Sequence, residues 1–502
     1  MELDITKTDR QKSGVNKWRY ANGIGTLNWI TRFGKTFGAL EYIINPHLKS
    51  NKSNNVIILV PSEIIANHWK EYIQSYCDDT QRVVIYTASY ISVNNITAEC
   101  SLLVVDELHK FTTPDRKEML DGTKIKTHYR LGLTGTYPFG IPWIEELYPV
   151  VDTVTEEEAI ANKWISNFIE YNVLLELPAG DKARYEKFSK PIQETLDLFK
   201  IPYPKLTREE GRPIFESEFD LIQACHSGFK TVSLSGQDIY ITYDRLCNTV
   251  ASVMGWHTGL NITIPENEEL HKIWSPNAVH TRAKTFIEYI RRRNEILIDN
   301  PIKLHAVGDI IANNVAVTIC FNESTAFADA VAEYVNARFP GIFRAACYHS
   351  KIDSRQMIDP ETNDYFKFTT GDRKGLPKIL GKDSIKKIVI KGVKDGFYNF
   401  LSTAKALDEG LDIPTIEQVI CTGGTTNPLT YQQRTARGKT VDIYNPEKVT
   451  MIFNLVFDDF VNSAGELIKS RDKTKLILRQ KQSGSSIHWV NDISQINFSI
   501  SE

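Results

Sequence analysis

Leu102-Leu-Val-Val-Asp-Glu-Leu-His109 is the stretch that decides how the chain is read: a short apolar run that ends on two adjacent carboxylates. A continuous apolar run bounded by polar residues is the mark of a strand buried on both faces of a parallel sheet. Open α/β sheets bind their ligands outside the carboxyl ends of such strands, which is where Asp106 and Glu107 fall. An acidic pair there divides naturally, with Asp106 holding a Mg²⁺ and Glu107 orienting or deprotonating an attacking water. About 70 residues upstream, Gly34-Lys35-Thr36 precedes Phe37-Gly-Ala-Leu40, which can open a helix. A helix N-terminus offers free N–H groups and the positive end of its dipole, and Lys35 and Thr36 add an ammonium for phosphates and a hydroxyl for Mg²⁺. The match to G-x4-G-K-[ST] is incomplete, because Trp29 replaces the first glycine. The GKT triplet therefore draws its weight from Asp106 and Glu107.

On either side of this stretch, Val56-Ile-Ile-Leu-Val60, Val83-Val-Ile-Tyr86 and Leu131-Gly-Leu133 repeat the strand pattern with helix-length spacers. A second series follows at Val315–Phe321, Arg344–Cys347, Phe397–Leu401, Gln418–Cys421 and Thr450–Val456. Alternating strands and helices imply parallel sheets with helical crossovers, here in two lobes. Between them, Ala183–Phe199 and Ala283–Leu297 have helical patterns, and an acidic, Gly/Pro-punctuated stretch runs from Thr207 to Asp220. After Gly465 come a basic stretch from Lys469 to Lys481, a Gly-Ser spacer and a short apolar tail.

With 502 residues, 42% hydrophobic and 24% charged, the chain holds about three domains' worth of globular material and is not collagenous, coiled-coil or wholly disordered. No apolar run approaches the ~18 residues of a membrane span, and the first residues lack a signal-peptide layout, so a cytoplasmic location and no membrane partner are expected. Seven scattered cysteines without a CxxC pair indicate reduced thiols rather than disulfides or a zinc knuckle. A net charge of −3 gives no global attraction to nucleic acid, so any polyanion site must be local.

Taken in order, the motifs make the chain resemble a superfamily 2 helicase or translocase. Arg10-Gln11 is similar to that family's adenine-reading Q motif, and Ile30-Thr31-Arg32-Phe33-Gly34-Lys35-Thr36 to motif I. Leu59-Val-Pro-Ser62, continuing to His68-Trp69, is similar to motif Ia, Asp106–His109 to the DEAH-type box, and Leu133-Thr134-Gly-Thr136 to motif III. Further on, Ile319–Asn322 resembles motif IV, Tyr348-His-Ser350 the HS element, Leu401–Pro414 motif V and Gln433-Arg434-Thr-Ala-Arg437 motif VI. The wording LDEGLDIP, the approach NPLTYQQR and the stretch through Ile169–Leu177 are similar to the branch containing XPB and the phage helicase UvsW, whose members act mainly on duplex or branched DNA. Two departures stand out: Arg32 occupies a usual P-loop glycine position, and Ala436 and Thr440 replace a glycine and the last arginine of motif VI.

The resemblance implies two RecA-like α/β lobes, with domains at 1–155 and 301–502 around a linker and mainly helical insertion at 156–300. It implies ATP and Mg²⁺ as cofactors, an ATP-dependent DNA helicase or translocase as the activity, and Arg437 together with Arg434 as groups stabilising charge on the γ-phosphoryl. By the same analogy Gly410 and Asp412 contact nucleotide, Gln433 the γ-phosphate or water, and Ser62, Thr134, Thr136 and Thr403 the nucleic-acid backbone or the coupling between sites. From charge alone, Tyr365–Asp395 carries nine Lys/Arg against three Asp beside Tyr365, Phe366 and Phe368. An insertion at about 353–395 that contacts or wedges a duplex through Lys386, Lys387 and Lys391 is expected. Alternatives are an RNA helicase, or a nucleotide-switched nucleic-acid-binding subunit of a repair or defence complex. The Lys-, Asn- and Ile-rich composition points to a viral or phage source, and protein partners are unknown.

Overall fold

The computed structural model of the chain describes residues 5–207, 214–227, 232–234, 237–239, 246, 257–258, 261–262, 276–404, 413, 415–423, 428–442, 445, 447–480 and 487–498. These fall into two compact units. One comprises Met1–Leu175, Pro301–Phe457 and Arg471–Glu502, and the other Glu176–Asn300 and Asp458–Ser470.

The first unit holds two parallel sheets. The first sheet is built from β1 (Ile24–Trp29), β2 (Val56–Val60), β3 (Val83–Thr87), β4 (Ala98–Asp106), β5 (Ile125–Thr134) and β6 (Val150–Val154), in the order β3-β2-β4-β5-β1-β6. All five residues of β2 are buried, as a strand with helices on both faces requires. Helices α1 (Ile5–Tyr20), α2 (Lys35–Ala39) and α3 (Glu63–Tyr76) belong to this lobe. α3 turns Ile65, Ala66, Trp69 and Ile73 inward at helical spacing. The order places β1 and β4, which carry the phosphate loop and the acidic pair, on either side of β5, so the carboxyl ends of all three meet.

The second sheet contains β7 (Asn167–Leu175), β8 (Thr318–Asn322), β9 (Ala345–His349), β10 (Phe400–Ala404), β11 (Gln418–Cys421), β12 (Val449–Phe457) and β13 (Ile487–Val490), in the order β9-β10-β8-β11-β12-β7-β13. The expected strand at Phe397–Leu401 lies three residues later in the chain. Tyr398 instead packs into the core and Phe397 lies against it. β7 falls inside the stretch expected to be linker and insertion, yet it pairs in parallel with β12 over nine positions, from Val449↔Asn167 to Phe457↔Leu175. Its polar residues hide it: Glu170 and Asn172 are buried and accept hydrogen bonds from Asn454 Nδ2 at 2.8 and 2.9 Å.

The second unit packs Ala179–Lys200, Glu218–His226 and Pro276–Ile298 around Phe199, Leu206, Phe215, Leu221, Ile222 and Phe286. It also contains short strand pairs at Val232–Leu234 with Gln237–Ile239 and at His257–Thr258 with Asn261–Ile262. No helix among the described residues is long and apolar enough to cross a membrane.

Candidate nucleotide site and nucleic-acid interface

The phosphate loop leaves β1 at Trp29, whose side chain turns into the core, 5.2 Å from Phe33 edge-on, and donates its indole N–H to Asp152 Oδ2 at 2.7 Å. The bulk that replaces the first loop glycine is therefore absorbed inward. Phe33 also sends its ring inward, to Trp164 at 5.1 Å, and offers the loop its main chain. Two residues take left-handed backbone: Gly34 at φ 90° and Arg32 at φ 76°. The glycine is required twice over, since a Cβ there would stand 2.8 Å from Gln11 Nε2. Arg32, where the family pattern has glycine, holds a conformation that costs a non-glycine residue about 1–2 kcal/mol.

Gln11 is buried and donates Nε2–H to Phe33 O at 2.8 Å, so it clamps the loop from behind. Arg10 uses all three guanidinium nitrogens within the lobe, on Glu158 at 2.6 Å, Asp152 at 2.8 Å and Thr153 O at 2.8 Å. Lys35 Nζ donates to Trp29 O at 3.1 Å. Thr36 follows in the first turn of α2 and is half-buried. Motif III closes the other side: a Cβ on Gly135 would lie 3.1 Å from Thr31 Oγ1 and 3.5 Å from Lys35 Nζ.

At the end of β4, Asp106 is buried with both carboxylate oxygens engaged. Oδ2 accepts from Trp69 Nε1–H at 2.8 Å and Oδ1 from the Glu107 N–H at 2.9 Å. Burial first, then the neighbouring Glu107 carboxylate, push its pKa up to about 6, against the pull of Trp69 and Lys35. Asp106 is thus under electrostatic pressure that a divalent cation relieves. With the Thr36 hydroxyl, it fits the hard-oxygen donor set of Mg²⁺. Glu107 sits in left-handed backbone at φ 51°, with His109 Nδ1 3.4 Å from its carboxylate.

From His109 a chain of hydrogen bonds leads to the second lobe. His109 Nδ1 lies 3.0 Å from Thr134 Oγ1, which donates to Thr136 O at 2.9 Å. With the hydroxyl proton spent there, Thr134 accepts and His109 Nδ1 carries the proton. Thr136 Oγ1 then donates to Gln432 Oε1 at 2.7 Å. Gln432 stands on α4 (Pro428–Thr435), one residue before Gln433, where the motif VI pattern begins. Lys439 also reaches Glu156 at 2.5 Å, and Ser166 Oγ donates to Thr440 O at 2.8 Å. Thr440 thus contributes its main chain where the family's last arginine stands.

On α4, Gln433 is half-buried, with its Oε1 lacking a hydrogen-bond partner among the described residues. Arg434 is buried, its guanidinium 5.5 Å from the Phe321 ring centroid. Arg437 is half-buried just beyond the helix. Gly410 and Asp412 lie outside the described residues.

The candidate backbone contacts divide by burial. Ser62 and Thr136 are partly exposed, whereas Thr134 and Thr403 are fully buried, so neither of the latter two can touch a strand in this conformation. The basic insertion is ordered by Arg355–Gln356 pairing with Ile379–Leu380 and by single bridges between. Tyr365 is exposed, but Phe366 packs against the lobe core. Beyond it, the helix Lys382–Lys394 buries Ile385, Val389 and Val393 and leaves its lysines outward. Tyr348, Lys386, Lys387, Ile390, Lys391, Lys394 and Asp395 line one groove. Lys386 Nζ rests 5.6 Å from the Tyr348 ring centroid, and Lys391 pairs with Glu361.

Asp329, Cys347 and His349 bring three metal-ligand types within 4.8 Å of one another. His349 Nδ1 accepts the Lys351 N–H at 3.2 Å, which leaves the ring proton on Nε2, 3.0 Å from Asp329 Oδ2. That is the opposite tautomer from the one a metal on Nε2 needs. Burial and Asp329 hold the Cys347 thiol well above its ordinary pKa, so the trio is a closed polar cluster.

Two residues that the geometry brings forward stand inside quoted motifs without a role assigned by the sequence. Trp69 closes the motif Ia pattern but resembles an ordinary core tryptophan, and Gln432 is masked by the adjacent Gln433. The signal that could have found Trp69 is its spacing on the inward face of α3.

Two parallel sheets, the first ending in a loop and an acidic pair suited to phosphates, define a two-lobed α/β protein with a candidate nucleotide site. Residues 380–439 match the helicase conserved C-terminal domain. The chain is 24% identical over 287 residues to the DNA 3'-5' translocase XPB2 of Sulfurisphaera tokodaii, covering 54% of this chain and 57% of that relative's length. Among solved structures it resembles an S. cerevisiae Dbp5 variant bound to RNA and ADP BeF3, with TM-score 0.51, 11% identity and coverage of 98% and 93% of the two chains. It also resembles the Pyrococcus furiosus Hef helicase domain, with TM-score 0.48, 15% identity and coverage of 96% and 100%. These likenesses support kinship with superfamily 2 helicases and translocases, XPB among them, and the chain has a two-lobed parallel-sheet α/β fold.

Proposed function

We propose that the chain is an ATP-driven DNA translocase that remodels or unwinds duplex or branched DNA. The observation that carries this reading is the hydrogen-bond path from the acidic pair to motif VI, ending on Thr136–Gln432. A hydrolysis site on one lobe and an arginine-bearing helix on the other are physically joined, as conversion of ATP turnover into lobe movement requires. Kinship with a protein named a DNA translocase favours DNA over RNA as the track.

In the working site the main-chain N–H groups of the loop and Lys35 bind phosphates, Gln11 holds the loop's shape, and Thr36 and Asp106 would hold Mg²⁺. The ion, when bound, neutralises charge on the β- and γ-phosphates. Glu107 orients and deprotonates the water. Arg437, together with Arg434, stabilises charge developing on the γ-phosphoryl, an arginine role worth ~10³ to 10⁵ in rate. Gln433 contacts the γ-phosphate or water. Gly410 and Asp412 complete the nucleotide contacts from motif V. Grip on DNA comes from phosphate contacts, as a motor indifferent to sequence needs. Lys386, Lys387 and Lys391 supply them from the groove beside Tyr348, with Ser62 contributing from motif Ia. The composition favours a viral or phage source acting in a host cytoplasm.

The test is ATPase of the full chain against forked, Holliday-junction, duplex and single-stranded DNA and RNA. Strongest stimulation by duplex or branched DNA is expected. RNA as the better activator would transfer the reading to an RNA helicase, and a wild type without nucleic-acid-stimulated turnover would favour a nucleotide-switched binding subunit.

A further inference from the structure

We infer that Trp69 is a positioning residue for the Mg²⁺-holding carboxylate: its indole N–H fixes Asp106 in the orientation that receives the ion and ties that carboxylate to the motif Ia helix. The inference rests on the nucleotide reading above and goes beyond it.

Trp69 is fully buried on α3, seven residues after the Ser62 that precedes the helix. Its Nε1–H reaches Asp106 Oδ2 at 2.8 Å, while Oδ1 is held by the Glu107 N–H at 2.9 Å. A carboxylate that receives one donor on each oxygen cannot rotate about its Cβ–Cγ bond without breaking one of them. Main-chain geometry sets one donor, and no substitution at 107 short of proline removes it. The other comes from a different element. An N–H donated to a carboxylate also favours its charged form, the form a cation requires. The groups facing Asp106 are Glu107 beside it, Lys35 from α2 and Trp69 from α3. Of these, Trp69 is the one from another element that makes a direct hydrogen bond to the carboxylate.

The second consequence concerns coupling. α3 begins directly after Ser62, the motif Ia position proposed to meet the DNA backbone. A shift of α3 along its axis moves the indole relative to Asp106 in the same step, so strand contact at one end of the helix alters the cation site at its middle. This link does not pass through motif III and runs in parallel with the His109–Thr134–Thr136 path.

The experiment compares Trp69→Phe with wild type by calorimetric titration of ADP with and without Mg²⁺. Phenylalanine keeps most of the buried ring and removes the donor. Mg²⁺-free ADP affinity is expected to stay within about twofold, and the Mg²⁺-dependent gain in affinity to fall about tenfold, which is ~1.4 kcal/mol. Half-saturating Mg²⁺ in the ATPase should rise by the same factor. Ile73→Ala, which opens the same helix face without touching the carboxylate, serves as the packing control and should leave the Mg²⁺-dependent gain unchanged. An unchanged or larger gain in Trp69→Phe, or an equal loss in Ile73→Ala, overturns the inference. If wild type itself shows no Mg²⁺-dependent gain, the nucleotide reading fails first.

Discussion

The two lobes hold their site residues by different means. In the first lobe each group is fixed from within: Gln11 on Phe33 O, Lys35 on Trp29 O, and Asp106 between Trp69 and its own neighbour's N–H. In the second, Gln432, Gln433 and Arg434 ride on one short helix and Arg437 follows it. From that same helix, Tyr431 hydrogen-bonds to Glu170 of β7. One lobe holds its groups by internal hydrogen bonds, and the other presents a helix that meets it through Thr136–Gln432. On the function proposed above, the first lobe would set whether nucleotide binds, and the second whether it is hydrolysed when DNA is present.

The strongest change removes the chemistry and spares the receptacle. Glu107→Gln should lower DNA-stimulated turnover by ~10²- to 10⁴-fold, the usual contribution of a general base, with ATP affinity within a few-fold of wild type. Loss of ATP binding in a folded protein would contradict the division. Next, neutralising Lys386, Lys387 and Lys391 together should weaken DNA binding ~10- to 100-fold. The slope of log affinity against log salt should flatten by up to ~0.9 for each phosphate that is no longer neutralised. An unchanged slope removes the groove from the DNA path. Thr136→Val cuts the bond to Gln432 while leaving nucleotide alone. Stimulated turnover should fall ~3- to 10-fold with basal turnover nearly unchanged, and equal losses in both would make the bond structural.

The weakest consequence is on stability. The Asp106 carboxyl titrates near 6 in the folded chain, above its ordinary 3.8, so the native state holds this proton more tightly than the unfolded state does. Its contribution therefore falls as pH rises from about 4 to above 6, by ~1–3 kcal/mol without Mg²⁺. Asp106→Asn should match wild type in Tm near pH 4 and exceed it by a few degrees at pH 7.5. A difference independent of pH would deny that burial of the charge is the cause.

Much of this was legible because strands buried on both faces are written as unbroken apolar runs. Val56–Val60 and Gln418–Cys421 occupy the very stretches whose apolar patterns mark them as strands. β7 was not legible, because Glu170 and Asn172 interrupt the pattern and are satisfied by Asn454 and Tyr431, far away in sequence. The same holds within the site. Lys35, Asp106 and Glu107 announce themselves by spacing, whereas Trp69 and Gln432 act through partners that no local pattern names. Trp29 shows the converse, since a residue that would obstruct the phosphate loop is absorbed into the space beside Phe33 and Gly38.

The sharpest test of two halves completing one site is single-turnover hydrolysis of bound ATP by Arg437→Ala in the presence of duplex DNA, with ATP affinity measured alongside. Unchanged binding with hydrolysis slowed at least ~10³-fold is the predicted result. Hydrolysis at the wild-type rate would place the whole reaction in the first lobe and contradict a site shared between the two.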